Sequence, residues 1–143
     1  MGAISLADIS LTPLARIPTK GGDVLHGIKL TEQSYAGFGE AYFSWVDMHA
    51  IKAWKRHLKM TMNVIVPIGQ IRFVFRLPGD DVYRVEDIGV ERYARITVPP
   101  GIWFGFKGLS SPQSLVLNVA SIAHDPAEVE RVSAGEFKYD WGR

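Results

Sequence analysis

Apolar and polar positions alternate along much of this chain, and glycine or proline interrupts the alternation at close intervals. Val64-Ile65-Val66 runs into Pro67-Ile68-Gly69, after which Ile71, Phe73 and Phe75 interleave with Arg72, Val74 and Arg76. A period of two residues puts successive side chains on opposite faces, so this reads as two strand-like runs across a turn. Arg95-Ile96-Thr97-Val98 repeats the pattern, breaks at Pro99-Pro100-Gly101 and restarts at Ile102-Trp103-Phe104. Ser114 to Val119, Leu25 to Lys29 and Glu40 to Trp45 supply three more β-rich runs. Many short strands separated by turn signals predict an all-β sandwich or barrel. The helical signal is confined to 126–131, where Asp125 is placed to cap and Pro126 occupies the first helical position. No internal repeat or low-complexity segment interrupts the chain. One domain is expected over 1–143, with an N-terminal arm over 1–21 and a C-terminal tail over 125–143, both available to pack on a neighbour.

Composition narrows the functional classes. The 143 residues include 16 Lys+Arg against 15 Asp+Glu, a formal charge of +1, and no cysteine. Without cysteine there is no disulfide framework, thiolate zinc site or cysteine nucleophile. The charge balance argues against nucleic acid as the main partner, since tracking phosphates needs a basic excess. No apolar run approaches the roughly 20 residues of a membrane helix. The start of the chain lacks the charged and apolar regions of a signal peptide, so a cytoplasmic location is expected.

The densest polar stretch is Ile51-Lys52-Ala53-Trp54-Lys55-Arg56-His57-Leu58-Lys59, which holds four of the 16 basic side chains and one of the four histidines. As a flat strand it would aim Lys55, His57 and Lys59 to one face and Lys52, Trp54 and Arg56 to the other. Cations facing a barrel interior need an anion to compensate them, and a bound phosphate would serve. The alternative is a basic edge strand, whose lysines discourage pairing with another chain.

Three strings extend the picture: Phe38-Gly39-Glu40-Ala41-Tyr42-Phe43-Ser44, Trp54-Lys55-Arg56-His57, and Val98-Pro99-Pro100-Gly101-Ile102-Trp103-Phe104-Gly105-Phe106-Lys107-Gly108. Together with Tyr139-Asp140-Trp141 they resemble the dTDP-4-dehydrorhamnose 3,5-epimerase family over roughly residues 22–141. The resemblance implies a cupin-like jelly roll, a homodimer that exchanges strands, and a nucleotide-linked 4-keto-6-deoxy sugar as substrate in surface-polysaccharide biosynthesis. It also implies proton transfer beside a ketone, which needs a base and stabilisation of the enolate oxygen.

Carried over residue by residue, the family's catalytic histidine falls on Lys55, its second histidine on Phe104, and its tyrosine near Leu117. Three substitutions leave two readings open: an isomerase working with Lys55 and His57, or a sugar-nucleotide-binding or regulatory protein that has lost catalysis. Like charges around Lys55 and His57 push both towards their neutral forms, which suits proton transfer. Lys52 matches the family's diphosphate contact, with Arg56 and Lys59 as further cations. Because Lys52 and Lys55 differ in parity, both reach one cavity only if a bulge lies between them. Trp45, Trp54 and Trp103 are candidates for stacking on a base or sugar, and Glu40 for balancing Lys55 or accepting from a hydroxyl.

No metal or other cofactor is expected. His26, His49, His57 and His124 form no His-x-His pair, and no carboxylate follows His57 at ligand spacing. His49 and His124 read as turn residues. Gly37-Phe38-Gly39 lacks the strand–loop–helix setting of a dinucleotide site, and no serine stands in a hydrolase elbow.

Overall fold

The alternating segments pair into two antiparallel sheets laid face to face. The computed structural model describes residues 3–142; residues 1, 2 and 143 of the expected domain lie outside the described residues. In chain order the strands are β1 (Ser10–Pro13), β2 (Arg16–Ile17), β3 (Val24–Leu25), β4 (Glu40–Asp47), β5 (Ile51–His57), β6 (Met62–Ile68), β7 (Gln70–Arg76), β8 (Tyr83–Gly89), β9 (Ala94–Val98), β10 (Trp103–Gly108), β11 (Gln113–Ala120) and β12 (Val129–Arg131). One five-stranded sheet runs β1-β9-β6-β11-β4, the other β12-β5-β10-β7-β8, and β2 and β3 form a small ribbon. This is the all-β, cupin-like jelly roll expected from the pattern of short strands.

The runs on either side of Gly69 are not paired with each other. Gly69, at φ +83°, lets the chain leave β6 in one sheet and enter β7 in the other. A Cβ there would lie 2.2 Å from the Ser114 hydroxyl, so the crossing is also too tight for a side chain. Between the sheets, Val64, Val66, Ile71, Phe73, Phe75, Ile88, Ile96 and Val98 form the main core. Their inward alternation removes apolar surface from water, the largest favourable term in folding.

Both ends of the chain belong to the domain. The N-terminal arm supplies β1, an edge strand on β9. The expected turn at 126–131 is a 3-10 turn over Pro126–Glu128, capped by the Asp125 carboxylate, and the chain then straightens into β12. The tail beyond it packs on its own sheet. Trp54, Val74, Trp103 and Trp141 form a second cluster on the outer face of the β5-β10-β7 sheet, with Phe137 and Tyr139 against it. Lys107 fastens this tail by donating to the Trp141 carbonyl at 2.8 Å.

A fully buried guanidinium holds the segment between β3 and β4. Arg95 donates to Asn63 at 3.1 Å, the Gly27 carbonyl at 2.7 Å, the Glu32 carboxylate at 2.6 Å and the Ser34 hydroxyl at 2.7 Å. The charge is affordable in the interior because it has a counter-ion and acceptors for its donors.

Candidate active site

A bulge in β5 creates the site. Opposite β10 the register runs Arg56↔Trp103, Lys55↔Phe104, then Ala53↔Gly105 and Lys52↔Phe106, so Trp54 has no partner there. The extra residue reverses the side-chain parity, and Lys52 and Lys55 both reach the space between the sheets. Gly105 permits this geometry, since a Cβ on it would lie 2.6 Å from that of Ala53.

The resulting cavity encloses about 340 Å³. Met62, Val64, Phe73, Phe104, Phe106 and Val116 line it with apolar surface. Tyr42 and Ser44 from β4 and Asn118 from β11 add hydroxyls and an amide from the facing sheet. Asn118 Nδ2 donates to Tyr42 Oη at 3.2 Å, fixing the two as a pair. Three cations, Lys52, Lys55 and Arg131, join them, and the described lining contains no carboxylate. Lys52 and Arg131 are exposed and stand at the open side, whereas Lys55 is half-buried. Desolvation lowers the Lys55 pKa, and the nearby charges of Arg131 and Lys52 lower it further. Lys52 Nζ donates to the Trp45 carbonyl at 3.1 Å.

Beneath Lys55 lies a buried pair. His57, 5% exposed, has Nδ1 2.6 Å from Glu128 Oε2. Glu128, at 2% exposure, also accepts the backbone N–H groups of Lys59 at 3.1 Å and Met60 at 2.9 Å through its other oxygen. Burial alone would raise the Glu128 pKa, but the His57 bond and the two N–H groups together hold it below the usual carboxylate value. Desolvation pushes His57 down despite the Glu128 bond. The pair is therefore a neutral imidazole on an anionic carboxylate, which assigns the ring proton to Nδ1 and leaves a lone pair on Nε2. Nε2 is buried without a partner, and the Phe104 ring stacks parallel to the imidazole, 15° apart at 5.9 Å.

The other sequence candidates lie elsewhere. Arg56 faces the outer side of the sheet, paired with Glu130 and lying over the Trp103 ring at 5.1 Å. Trp103 itself packs on Phe137, and Trp54 on Phe137 and Trp141 at 5.4 Å each, with its Nε1 donating to the Ala134 carbonyl. Both rings cover the outer face, and Trp54, at the bulge, also forms part of the cavity's lining. The simple alternation that put Lys59 beside Lys55 fails because β5 ends at His57; Lys59 is exposed and contributes its backbone N–H. Glu40 lies at the far end of β4 and accepts the His124 backbone N–H at 3.0 Å. Leu117 points to the outer face, while Val116 and Asn118 on either side of it line the cavity. His49 and His124 are exposed, as turn residues should be.

Tyr42, Asn118, Arg131 and Glu128 complete the site without having stood out in the sequence. Tyr42 and Ser44 alternate within a strand whose other face is apolar, so parity alone could have flagged them. Nothing local marks Glu128, which is brought to His57 from 71 positions away.

Among the described residues no three His, Asp or Glu side chains come together as a metal site would require. No helix of the described residues is long and apolar enough to cross a membrane.

No family model matches the chain, and no curated protein matches it. Solved structures do. A dTDP sugar isomerase from Desulfovibrio desulfuricans G20 is 33% identical, with 93% of this chain and 90% of that chain covered at a TM-score of 0.88. NovW of Streptomyces spheroides, a 4-keto-6-deoxy sugar epimerase, shares the fold at 13% identity and a TM-score of 0.84, over 99% of this chain and 78% of its own. The sugar 3,4-ketoisomerase QdtA of Thermoanaerobacterium thermosaccharolyticum, solved with TDP, shares it at 15% identity and 0.71, over 90% of each chain. With a third of its residues identical to the first of these along nearly the whole length, and with the same fold, this chain belongs to the dTDP-sugar isomerase and 3,5-epimerase family.

Proposed function

We propose that this protein isomerises or epimerises a dTDP-linked 4-keto-6-deoxyhexose by moving a proton on a carbon beside the ketone. The observation that carries this reading is the convergence of Lys52, Lys55 and Arg131 on one cavity whose described lining has no carboxylate. Three uncompensated cations call for a polyanion, and a diphosphate supplies it. The apolar wall of Met62, Val64, Phe104 and Val116 suits a sugar that has lost its 6-hydroxyl.

In this reading Lys52 and Arg131, at the open side, hold the diphosphate. Lys55 faces the sugar, and together with the buried His57–Glu128 pair behind it carries the proton transfer or stabilises the enolate. Tyr42 and Asn118, from the opposite sheet, present polar hydrogens to the other face of the ring. Arg56, Lys59, Glu40 and Trp103 have no part in it, because they do not line the cavity.

The test is incubation with dTDP-4-keto-6-deoxyglucose in D₂O, following exchange at C3 and C5 by NMR. Exchange that Lys55→Ala and His57→Ala abolish supports the reading; exchange that survives the double substitution removes both residues from the chemistry. Tight dTDP binding without exchange would instead favour a binding protein, a reading supported by Phe104 stacking over His57.

The same proposal takes the protein to be a cytoplasmic homodimer acting in surface-polysaccharide biosynthesis. The outer face of the β4-β11-β6 sheet supports the dimer. Trp45, Leu115 and Ile68 stand in one cross-strand row and Phe43 and Leu117 in the next, with Phe43 62%, Trp45 52% and Ile68 48% exposed. An apolar sheet face of this kind fits a second copy of itself. Light scattering on the wild type and on Phe43→Glu with Trp45→Glu checks it: a dimer that becomes a monomer is expected, and a wild-type monomer overturns it.

A further inference from the structure

We propose that Lys55 is a nucleophile, and that its Nζ condenses with the ketone of the bound keto sugar to form a protonated imine. The inference rests on the substrate class proposed above and adds a covalent step to it.

The argument begins with depth along β5. Lys52 is exposed, Lys55 half-buried and His57 buried, so three nitrogen groups descend one wall in order. Lys52, at the open side with one donor on the Trp45 carbonyl, is placed for the diphosphate and not for the sugar. Its partner at the open side, Arg131, cannot lose its proton and can serve only as a cation. His57 does not open onto the cavity, because Nε2 is shielded and Phe104 lies over the ring. That leaves Lys55 as the group that both faces the sugar and can present a lone pair. Among the described residues its Nζ has no ion pair and no hydrogen bond, and burial together with the Arg131 charge outweighs the Glu128 charge that favours the ammonium.

The surroundings favour the free amine. The cavity wall next to it is apolar, and Arg131 stands directly opposite across the β5–β12 ladder. A desolvated lysine beside a second cation is a recognised way of making an amine nucleophilic near neutrality.

The step balances without an outside reagent. The Nζ lone pair attacks the carbonyl carbon, the carbon–nitrogen bond forms, and the carbonyl π electrons move to oxygen. One proton passes from nitrogen to that oxygen and a second reaches it from solvent, so the oxygen leaves as water and the protonated imine remains. This cation draws electrons from the neighbouring carbon–hydrogen bond, whose proton passes to the water just released while an enamine forms. Return of a proton to carbon and addition of water restore the ketone and free Lys55.

Reductive trapping tests this. Wild-type protein is incubated with dTDP-4-keto-6-deoxyglucose and sodium cyanoborohydride, and intact and peptide mass spectra are recorded. The same samples without reductant are followed for deuterium exchange and for binding of dTDP. The expected result is one stoichiometric adduct, adding the mass of the ligand less one oxygen atom, on Lys55 and not on exposed Lys59. Lys55→Arg, which keeps the charge but cannot form an imine, loses the adduct while still binding dTDP and melting like the wild type. Exchange and binding without an adduct, or an adduct spread over surface lysines, overturns the nucleophile and leaves the proposed function standing. Absence of binding, exchange and adduct together overturns both. Because the site is mapped in the wild type, the outcome does not depend on the variant folding.

Discussion

Arg131 stands directly opposite Lys55 across the β5–β12 ladder, and both side chains line the same cavity. Like charges facing each other on adjacent strands destabilise a sheet, typically by a few tenths to about 1 kcal/mol. The next pair along, Arg56 and Glu130, has opposite charges and faces outward. The ladder thus places attraction on the solvent side and repulsion in the site.

Arg131→Gln separates those two effects. Relieving the repulsion should raise unfolding free energy by roughly 0.5 kcal/mol. Loss of a charge-assisted contact should weaken dTDP binding by about 10- to 100-fold, corresponding to about 1.5–3 kcal/mol. Urea unfolding and calorimetric titration on the same protein read the two, and a variant that loses both stability and affinity would contradict the assignment.

Glu128→Ala should be among the most damaging single changes. It removes the acceptor for His57 and for the N–H groups of Lys59 and Met60 at once. Each buried N–H group left without an acceptor costs about 1–3 kcal/mol, against about 1 kcal/mol for a typical substitution as a whole. Glu128→Gln, which keeps an acceptor, should recover part of that in denaturant unfolding.

Stability should fall as the solution is acidified. The folded-state pKa of His57 lies below its ordinary 6.5 and that of Glu128 below its ordinary 4.5. In both cases the unfolded chain binds protons at a higher pH than the folded one, so unfolding free energy decreases as pH drops. The His57 contribution begins to be lost below about pH 6.5 and the Glu128 contribution below about pH 4.5. Glu32, whose pKa Arg95 lowers by hydrogen bonding, adds to the second step. Melting curves from pH 8 to 4 check the sign. In His57→Gln the first step should disappear.

Gly105→Ala tests the bulge. The new methyl would meet Ala53 in the strand segment that carries Lys52 and Lys55. A cost of about 1–3 kcal/mol is expected from overpacking. If the strand relaxes by expelling the bulge, dTDP affinity falls more than stability does, because the two lysines then take opposite faces. Parallel melting and binding curves distinguish that from simple loss of fold.

Arg95→Met should loosen the segment between β3 and β4. Asn63, Glu32 and Ser34 would lose their shared partner, and the amides of residues 27–35 should exchange faster with solvent. Protection in β7 and β10, on the other sheet, should change little.

The amino-acid sequence determined the architecture, because a period of two with frequent glycine and proline admits little but short strands, and strands with one apolar face must cover it. The basic string at 52–59 left two readings open in the sequence, a cation-lined wall that needs a counter-charge or a basic edge strand. Tertiary structure decided which of those cations face inward. Strand parity assigned Lys52 and Lys55 to opposite faces; one unpaired residue, Trp54, brought them to the same one. It also decided what lies beneath them, since Glu128 reaches His57 through a chain reversal that no local pattern encodes. Side-chain direction in a strand is a parity, and a single bulge inverts it for every residue beyond, so a site built on a bulge is settled only when the neighbouring strand has set the register.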